Sequence, residues 1–329
     1  MKGNSMMKRI FLIPAIAFGV LAANAAPLKR ADVAADPSML VHIDFDGLRA
    51  TSVGKAILTQ LSQPDVDTKL SAIKGIFSFD PRTQLHGVTL YTKGKTAEGG
   101  VLIVYADFDS NRVLNLGMLA PGFHTITNGS HVIYSWIDEK KKDKGDDDDG
   151  PPHIYAAIRD NRVILGKSES WLISELNVLD GSEPSLAADN SSSALGEAGN
   201  GVFVQAVVRK FDFGGDSPNA AIFKMSKLAR LEVGEKDDQL SATLKLTAAD
   251  NDTATQISAI AQGLLALLKL QKGNPDATKL VNALSLRQDG ANVIATASIP
   301  SQEAADLIKA KVCDAQHKHS DDTNSSPSQ

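Results

Sequence analysis

The sequence predicts an α+β fold in which antiparallel sheets carry helices on one face. The first observation is a set of short polar turns, such as Asp289-Gly290, that separate runs of alternating apolar residues and are typical of β-hairpins. Amphipathic helical segments lie between the hairpins, and the order strand, helix, hairpin, helix, hairpin, helix recurs in both halves. We therefore expect two related domains, each a sheet covered by helices, with a ferredoxin-like plait as the specific arrangement.

The first 25 residues have the features of a secretory signal peptide. Lys2, Lys8 and Arg9 form a basic start, residues 10–22 are apolar, and Ala23-Asn24-Ala25 is a small-x-small cleavage site. The apolar run is shorter than the roughly 20 residues of a membrane helix. We expect the mature chain to begin at Ala26, with no membrane span after signal cleavage.

Residues 26–185 are predicted to form the first domain. Its first strand covers Met39 to Phe45, where Val41, Ile43 and Phe45 alternate with polar residues. Its last helix covers Glu169 to Leu179, with Ser168 as the N-cap. Between them we expect helices over Ser52 to Leu61, Asp67 to Ile76 and Ser110 to Leu119, and strands over Gly87 to Tyr91, Gly100 to Phe108, Thr125 to Thr127, His131 to Trp136, His153 to Arg159 and Arg162 to Leu165.

Residues 201–313 are predicted to form the second domain. Its longest helix, Thr253 to Gln271, has an apolar stripe interrupted by Gln256 and Gln262, which favours an amphipathic core helix over a membrane span. The other expected elements are strands over Val202 to Val208, Leu228 to Val233, Gln239 to Thr247, Leu284 to Gln288 and Ala291 to Ile299, and helices over Asn219 to Lys227, Asp276 to Leu284 and Gln302 to Val312.

Two segments lack the apolar content that a packed core needs. Residues 186–200, rich in Ser and small residues, are expected to be a linker, and residues 314–329 a disordered tail. The similar order of elements on either side of the linker has two explanations: a diverged internal duplication, or the ordinary recurrence of such elements in an α+β chain.

Composition excludes one class of partner. The chain has 34 basic and 39 acidic residues, a net charge of −5, and the basic residues are scattered among acids, so no phosphate-binding stripe forms and nucleic acid is not expected. The single cysteine, Cys313, allows no internal disulfide, which leaves a small buried residue or a thiol that pairs between chains.

The strand at the start of the first domain has one candidate site. His42, Asp44 and Asp46 share a strand face because side chains alternate, and an imidazole with two carboxylates suits a divalent metal. The alternative is a solvated face opposite buried Val41, Ile43 and Phe45, which explains the same alternation without a ligand. We favour the solvated face and assign no metal residue there.

Other candidate motifs lack required parts. Asp146 to Asp149 suggest calcium, but the EF-hand positions fail, so residues 138–152 are expected to be a solvated hairpin loop. Cys313, His317 and His319 lack a fourth metal ligand, and Ser71 to Lys74 match Ser-x-x-Lys without its companion motifs. The sequence therefore predicts no catalytic, cofactor-binding or metal residues and no cofactor.

Phe79-Asp80-Pro81-Arg82, the strand Gly87 to Tyr91 and the repeated hairpin-helix pattern resemble a broad group of exported bacterial proteins of unknown function. The resemblance implies no activity. We predict a soluble, periplasmic or secreted, non-catalytic binding or scaffold protein of the cell envelope with an unknown envelope protein or ligand as its partner. The alternative is an envelope hydrolase or metal-dependent enzyme that uses His42, Asp44 and Asp46. A pocket of converging His, Asp or Ser side chains counts against the binding module.

Overall fold

All the strands that the structure describes form one antiparallel sheet. The structure is a computed structural model and describes residues 26–94, 99–139, 152–188, 198–209, 218–270, 279 and 281–310. Its 12 strands are β1 (Met39–Asp44), β2 (Leu85–Thr92), β3 (Gly100–Ala106), β4 (His124–Asn128), β5 (His131–Ile137), β6 (His153–Arg159), β7 (Arg162–Gly166), β8 (Val202–Val208), β9 (Ser226–Lys236), β10 (Gln239–Ala248), β11 (Leu284–Asp289) and β12 (Asn292–Pro300). Their order in the sheet is β11-β12-β10-β9-β8-β1-β2-β3-β7-β6-β5-β4.

The helices complete an α+β protein, and this class is confirmed. A 3₁₀ turn (Arg30–Asp32) precedes the sheet. The helices are α1 (Phe45–Ala50), α2 (Ser52–Leu61), α3 (Pro64–Phe77), α4 (Pro81–Gln84), α5 (Ser110–Gly117), α6 (Glu169–Leu179), α7 (Pro218–Lys224), α8 (Asn251–Leu270) and α9 (301–310).

The expectation of two separate sheets is wrong. β1, from the first half, pairs with β8, from the second, through the register Leu40 to Val207 and Ile43 to Val204. β1 therefore has a neighbour on both sides, so its backbone groups are hydrogen-bonded within the sheet. The ferredoxin-like arrangement is not confirmed. The domain bounds 26–185 and 201–313 stay predictions.

Two apolar cores lie on opposite faces of this sheet. The first contains Leu40 and Val207, packed beneath α6 and the segment before β1. Val207 of β8 lies opposite Arg230 of β9, so these two side chains share a face of the sheet. Ala229 is adjacent to Arg230 in β9 and therefore points to the other face. Ala229 belongs to the second core, which α7 and α8 cover. The first core contains Val33, Leu40, Tyr91, Val101, Ile103, Ile133, Ile164, Leu172, Leu176 and Val207; the second contains Ile222, Ala229, Leu246, Ala254, Ile257 and Val293.

Two of the hairpin turns lie one residue later than the sequence indicated. Asp289 pairs with Asn292 as part of the ladder, so the turn residues are Gly290 and Ala291, and Gly290 supplies the positive φ of 55°. Between the expected strands Thr125 to Thr127 and His131 to Trp136, the sequence also predicts an Asn128-Gly129 turn, and this hairpin shifts in the same way, because Asn128 pairs with His131. The glycine is therefore the first turn residue in both hairpins rather than the second.

Helix α8 is the described helix whose length and composition would suit a membrane span. Its first half packs on the second core through Ala254 and Ile257, whereas Leu267 and Leu270 near its end are exposed among the described residues. The expected core helix is thus observed from the start of α8 to Leu264, because Ile260, Ala261 and Leu264 also pack against the second core.

Several expectations fall outside the described residues. These are the signal peptide (1–25), most of the acidic loop and of the linker, and the C-terminal tail with Cys313, His317 and His319. Of the expected helix over Asp276 to Leu284, the structure describes residues 279 and 281–284, which are helical as far as residue 282 and enter β11 at Leu284.

Candidate binding cleft

A polar cleft of about 660 Å³ opens at one end of the central strands. It lies where β3 ends and β2 and β7 begin, and the segment before β1 forms another of its walls. Because antiparallel neighbours begin and end at the same edge, this edge gathers side chains that are far apart in sequence. The lining residues are Ala26, Pro27, Lys29, Asp32, Asp46, His86, Tyr105, Ala106, Asp107, Asp160, Asn161 and Arg162.

His86 is held between two carboxylates in this cleft. Its Nδ1 is 3.0 Å from Asp46 Oδ2, and its Nε2 is 2.9 Å from Asp107 Oδ2. Asp46 lies in the first turn of α1 and Asp107 directly follows β3. Arg49, one turn along α1, forms an ion pair with Asp46, and the Asn161 amide donates to Asp107 Oδ1 over 3.2 Å. Both ring nitrogens of His86 therefore face carboxylate acceptors.

The surroundings of His86 favour its charged form. Partial burial lowers the pKa of His86, but its hydrogen bonds to Asp107 and Asp46 and their charges outweigh burial, and the net shift is upward. An imidazolium donates both N–H groups, so the protonated ring bridges α1 to the end of β3.

A second charged group lies across the cleft. Arg162 pairs with Asp32 at 2.9 Å and with Asp160 at 2.7 Å. Asp32 is 8% exposed, and its second oxygen, Oδ2, has no hydrogen-bond partner among the described residues. Burial and the nearby Asp32 charge raise the pKa of Tyr105, yet its hydroxyl makes no hydrogen bond of normal geometry within the described part of the chain. The Lys29 ammonium lies 4.8 Å from the centre of the Tyr105 ring.

The strand face that carries His42 and Asp44 is buried, so the solvated face expected from sequence is wrong. His42 is 3% and Asp44 is 4% exposed, whereas Val41 and Ile43 are half-buried. The polar side chains are tolerated there because each has partners: His42 bonds Thr89 and the Ala26 carbonyl, and Asp44 accepts from Gly47 and Ala26.

The three candidate metal ligands separate for a local reason. The Asp44 side chain accepts the Gly47 N–H over 2.7 Å and so caps α1, which ends the strand two residues before Asp46. Asp46 then lies on a helix and contacts His86 instead of sharing a face with His42. No group of three His, Cys, Asp or Glu side chains with metal-binding geometry occurs in the described ranges.

The surroundings of His42 favour its neutral form. Burial lowers its pKa, and this outweighs the hydrogen bond to Ala26 and the charge of Asp44. A carbonyl only accepts, so Nε2 carries the proton that bonds the Ala26 oxygen at 3.0 Å, and Nδ1 accepts from the Thr89 hydroxyl at 2.9 Å.

Sequence reasoning missed most of this cleft. It named Asp46 for a different site and gave no role to Asp32, His86, Tyr105, Asp107 or Arg162. One signal was available: His86 directly precedes the predicted strand Gly87 to Tyr91, and Asp107 is the last but one residue of the predicted strand Gly100 to Phe108. Such positions meet at one sheet edge when the two strands pair antiparallel.

The fold and the cleft define an α+β protein with a polar pocket at the end of one large sheet. No protein-family model and no curated protein matches the chain. Two solved structures, crystal forms III and I of TP0453, are similar to it at 11% and 10% identity, with TM-scores of 0.44 and 0.43. The alignments cover 86% and 87% of this chain and 98% of each TP0453 chain. This distant likeness assigns no function.

Proposed function

We propose that this protein is an exported, non-catalytic binding protein of the bacterial cell envelope and that the cleft at the end of the central strands binds its ligand. The observation that carries the proposal is that two buried polar groups in the cleft walls, Asp32 Oδ2 and the Tyr105 hydroxyl, lie near each other but make no hydrogen bond of normal geometry with any described residue. Buried polar atoms in native proteins are nearly always hydrogen-bonded, so these two suit a bound molecule or ordered water.

The charge of the cleft indicates the kind of ligand. Four carboxylates line it, those of Asp32, Asp46, Asp107 and Asp160, against the cations Lys29 and Arg162 and a protonated His86. Arg49 also pairs with Asp46, so the charges around the cleft are balanced. Asp32 Oδ2 remains a buried acceptor without a hydrogen bond of normal geometry among the described residues, and it favours a positively charged donor, because a carboxylate oxygen only accepts hydrogen bonds. We therefore propose a small organic amine as the ligand class.

The side chains favour binding over catalysis. The cleft does gather His86 with two aspartates, a convergence of the kind that was expected to count against a binding module. What favours binding is that both ring nitrogens of His86 are engaged by carboxylates, and that Asp32 and Asp160 are both paired with Arg162. The alternative, a metal-dependent enzyme that uses His42, Asp44 and Asp46, receives no support from their separation.

Calorimetric titration with small amines tests the proposal. We expect 1,4-diaminobutane or a related amine to bind the wild-type protein, and Asp107→Asn to weaken binding at least tenfold because it removes one carboxylate. Asp107 is 53% exposed, so its loss leaves the fold intact. The matched control is Asp289→Asn, which removes a charge at a distant hairpin and should leave affinity unchanged.

Two results would contradict the proposal. Failure of every amine tested to bind at millimolar concentration would rule out this ligand class. Stoichiometric metal in the purified protein that is lost on mutating Asp44 and Asp46 would favour the enzyme instead.

A further inference from the structure

We infer that removal of the signal peptide between Ala25 and Ala26 produces an α-ammonium group that forms a partly buried ion pair with Asp44, so that processing completes the fold. This inference uses the export part of the proposed function and does not depend on the ligand.

The geometry at Ala26 carries the inference. The Ala26 nitrogen is 3.0 Å from Asp44 Oδ1, and the Ala26 carbonyl accepts from His42 Nε2 over 3.0 Å. The first residue expected after signal cleavage is therefore held at both its nitrogen and its oxygen by side chains of β1. Pro27 follows it and restricts Ala26 to extended backbone, which reduces the conformations that docking must select.

The charge of Asp44 needs a partner. Its side chain is buried, and in the described part of the chain no Lys or Arg forms an ion pair with it. His42 next to it is neutral, because burial lowers the His42 pKa. Both hydrogen bonds that Asp44 accepts come from backbone nitrogens, those of Gly47 and Ala26. A buried carboxylate with neutral donors alone is costly, whereas a cation within hydrogen-bond distance stabilises it.

Hydrolysis changes the chemistry of one of those two donors. Water adds across the Ala25–Ala26 amide, the departing segment keeps a carboxylate on Ala25, and the Ala26 nitrogen becomes –NH₃⁺. In the precursor this nitrogen is an amide that offers one neutral N–H. In the processed chain it offers a positive charge and up to three N–H groups, and charge-assisted hydrogen bonds are roughly twice as strong as neutral ones.

The pair also depends on the position of the cut. Consecutive residues are about 3.8 Å apart, so cleavage one residue earlier or later moves the charged nitrogen out of reach of Asp44. The inference therefore predicts one particular N-terminus.

The first experiment determines the N-terminus of the exported protein. The full chain is produced in a bacterial host with its own leader, and the exported form is characterised by intact mass and N-terminal sequencing. We expect a chain that starts at Ala26. An exported chain that starts at any other residue overturns the inference, whereas a chain kept in the cytoplasm with its leader overturns the export part of the proposed function.

The second experiment measures the ion pair. The chain that starts at Ala26 is compared by urea unfolding with the same chain carrying one extra glycine before Ala26. We expect the extra residue to raise the unfolding equilibrium constant at least tenfold. Asp44→Asn should abolish this difference while keeping an acceptor for Gly47, and Asp289→Asn should preserve it. Equal stability of the two wild-type chains, or a difference that survives Asp44→Asn, would overturn the inference.

Discussion

At the residue scale, two of the buried acids in the first half of the molecule, Asp44 and Glu175, lie in different surroundings. Asp44 accepts two backbone N–H groups, whereas Glu175 receives the Tyr91 hydroxyl on one oxygen and has no partner for Oε1 among the described residues. Burial raises the pKa of Glu175 from 4.5 to about 8, although the Tyr91 hydrogen bond opposes the shift. Glu175 is therefore protonated in the folded protein at neutral pH.

The raised pKa of Glu175 predicts a specific pH dependence of stability. Between pH 4.5 and about 8 the unfolded chain has released this proton and the folded protein has kept it, so the free energy of unfolding falls as pH rises. The contribution of this one group is at most about 1.4 kcal/mol per pH unit. Glu175→Gln removes the titration, so the variant should gain stability relative to wild type as pH increases over this range.

Urea unfolding at several pH values, with Asp289→Asn as the control for loss of a carboxylate, measures this difference. A stability difference between Glu175→Gln and wild type that stays constant from pH 5 to 8 would show that Glu175 titrates normally.

Residue polarity predicted the alternation of β1 but not which face is buried. His42 and Asp44 looked solvated because their partners are distant: Thr89 is 47 positions from His42, and Ala26 is 16 from His42 and 18 from Asp44. Local periodicity identifies residues that share a face, whereas burial of a polar face depends on contacts that no short window contains.

At the element scale, most helices and strands followed from local signals. β1, α2, α6 and the hairpins carry alternation, caps and turn residues within their own sequence, so their positions were predicted to within a few residues. The short helix α1 was missed because Asp46-Gly47 resembles the end of a strand, whereas the Asp44 side chain caps a helix there. A strand-ending Asp-Gly pattern and a helix N-cap pattern therefore overlap between Asp44 and Gly47.

The contact between α1 and α2 predicts opposite effects of two glycine substitutions. A Cβ at Gly54 would lie 1.8 Å from the Leu48 carbonyl oxygen, so Gly54→Ala forces the two helices apart and should destabilise the protein by more than about 1 kcal/mol. A Cβ at Gly75, on the exposed surface of α3, meets no atom within 4 Å. Gly75→Ala should therefore stabilise by about 0.5–1 kcal/mol through its helix propensity.

Thermal or urea denaturation of the two variants beside wild type checks this pair. Similar stability changes at the two positions would show that the close approach of α1 and α2 does not constrain the fold.

At the scale of the whole molecule, the halves are joined by more than the β1–β8 ladder. Val207 of β8 belongs to the first core, and both carboxylate oxygens of Glu235, in β9, accept backbone N–H groups at the start of α2, from Ser52 at 2.7 Å and from Val53 at 3.1 Å. These partners are more than 180 positions apart in the sequence, so no local sequence pattern predicts the contact. Local sequence patterns therefore predicted the helices and strands, but they led to a prediction of two sheets instead of one.

The continuous sheet predicts that the chain unfolds in one cooperative transition. Both tryptophans, Trp136 and Trp171, lie in the first half, so their fluorescence reports that half, whereas far-UV circular dichroism reports the whole molecule. Leu246→Ala, in the second core, should destabilise by about 2–5 kcal/mol and lower both midpoints equally.

Leu119→Ala is the matched control, because Leu119 is 80% exposed and should change neither midpoint. A fluorescence midpoint that does not move in Leu246→Ala would demonstrate two independently folding halves.

The open ends of the sheet have a consequence for self-association. β4 and β11 are its outermost strands in the described part of the chain, and each leaves one row of backbone groups without a ladder partner there. Such rims are templates on which a further chain can add a strand. Here β4 has only five residues, and β11 carries the charged residues Arg287 and Asp289. A short edge strand and charges on an edge strand both disfavour edge-to-edge pairing of two molecules. The protein thus combines an unusually wide sheet with edge strands that disfavour the addition of further strands into a fibril.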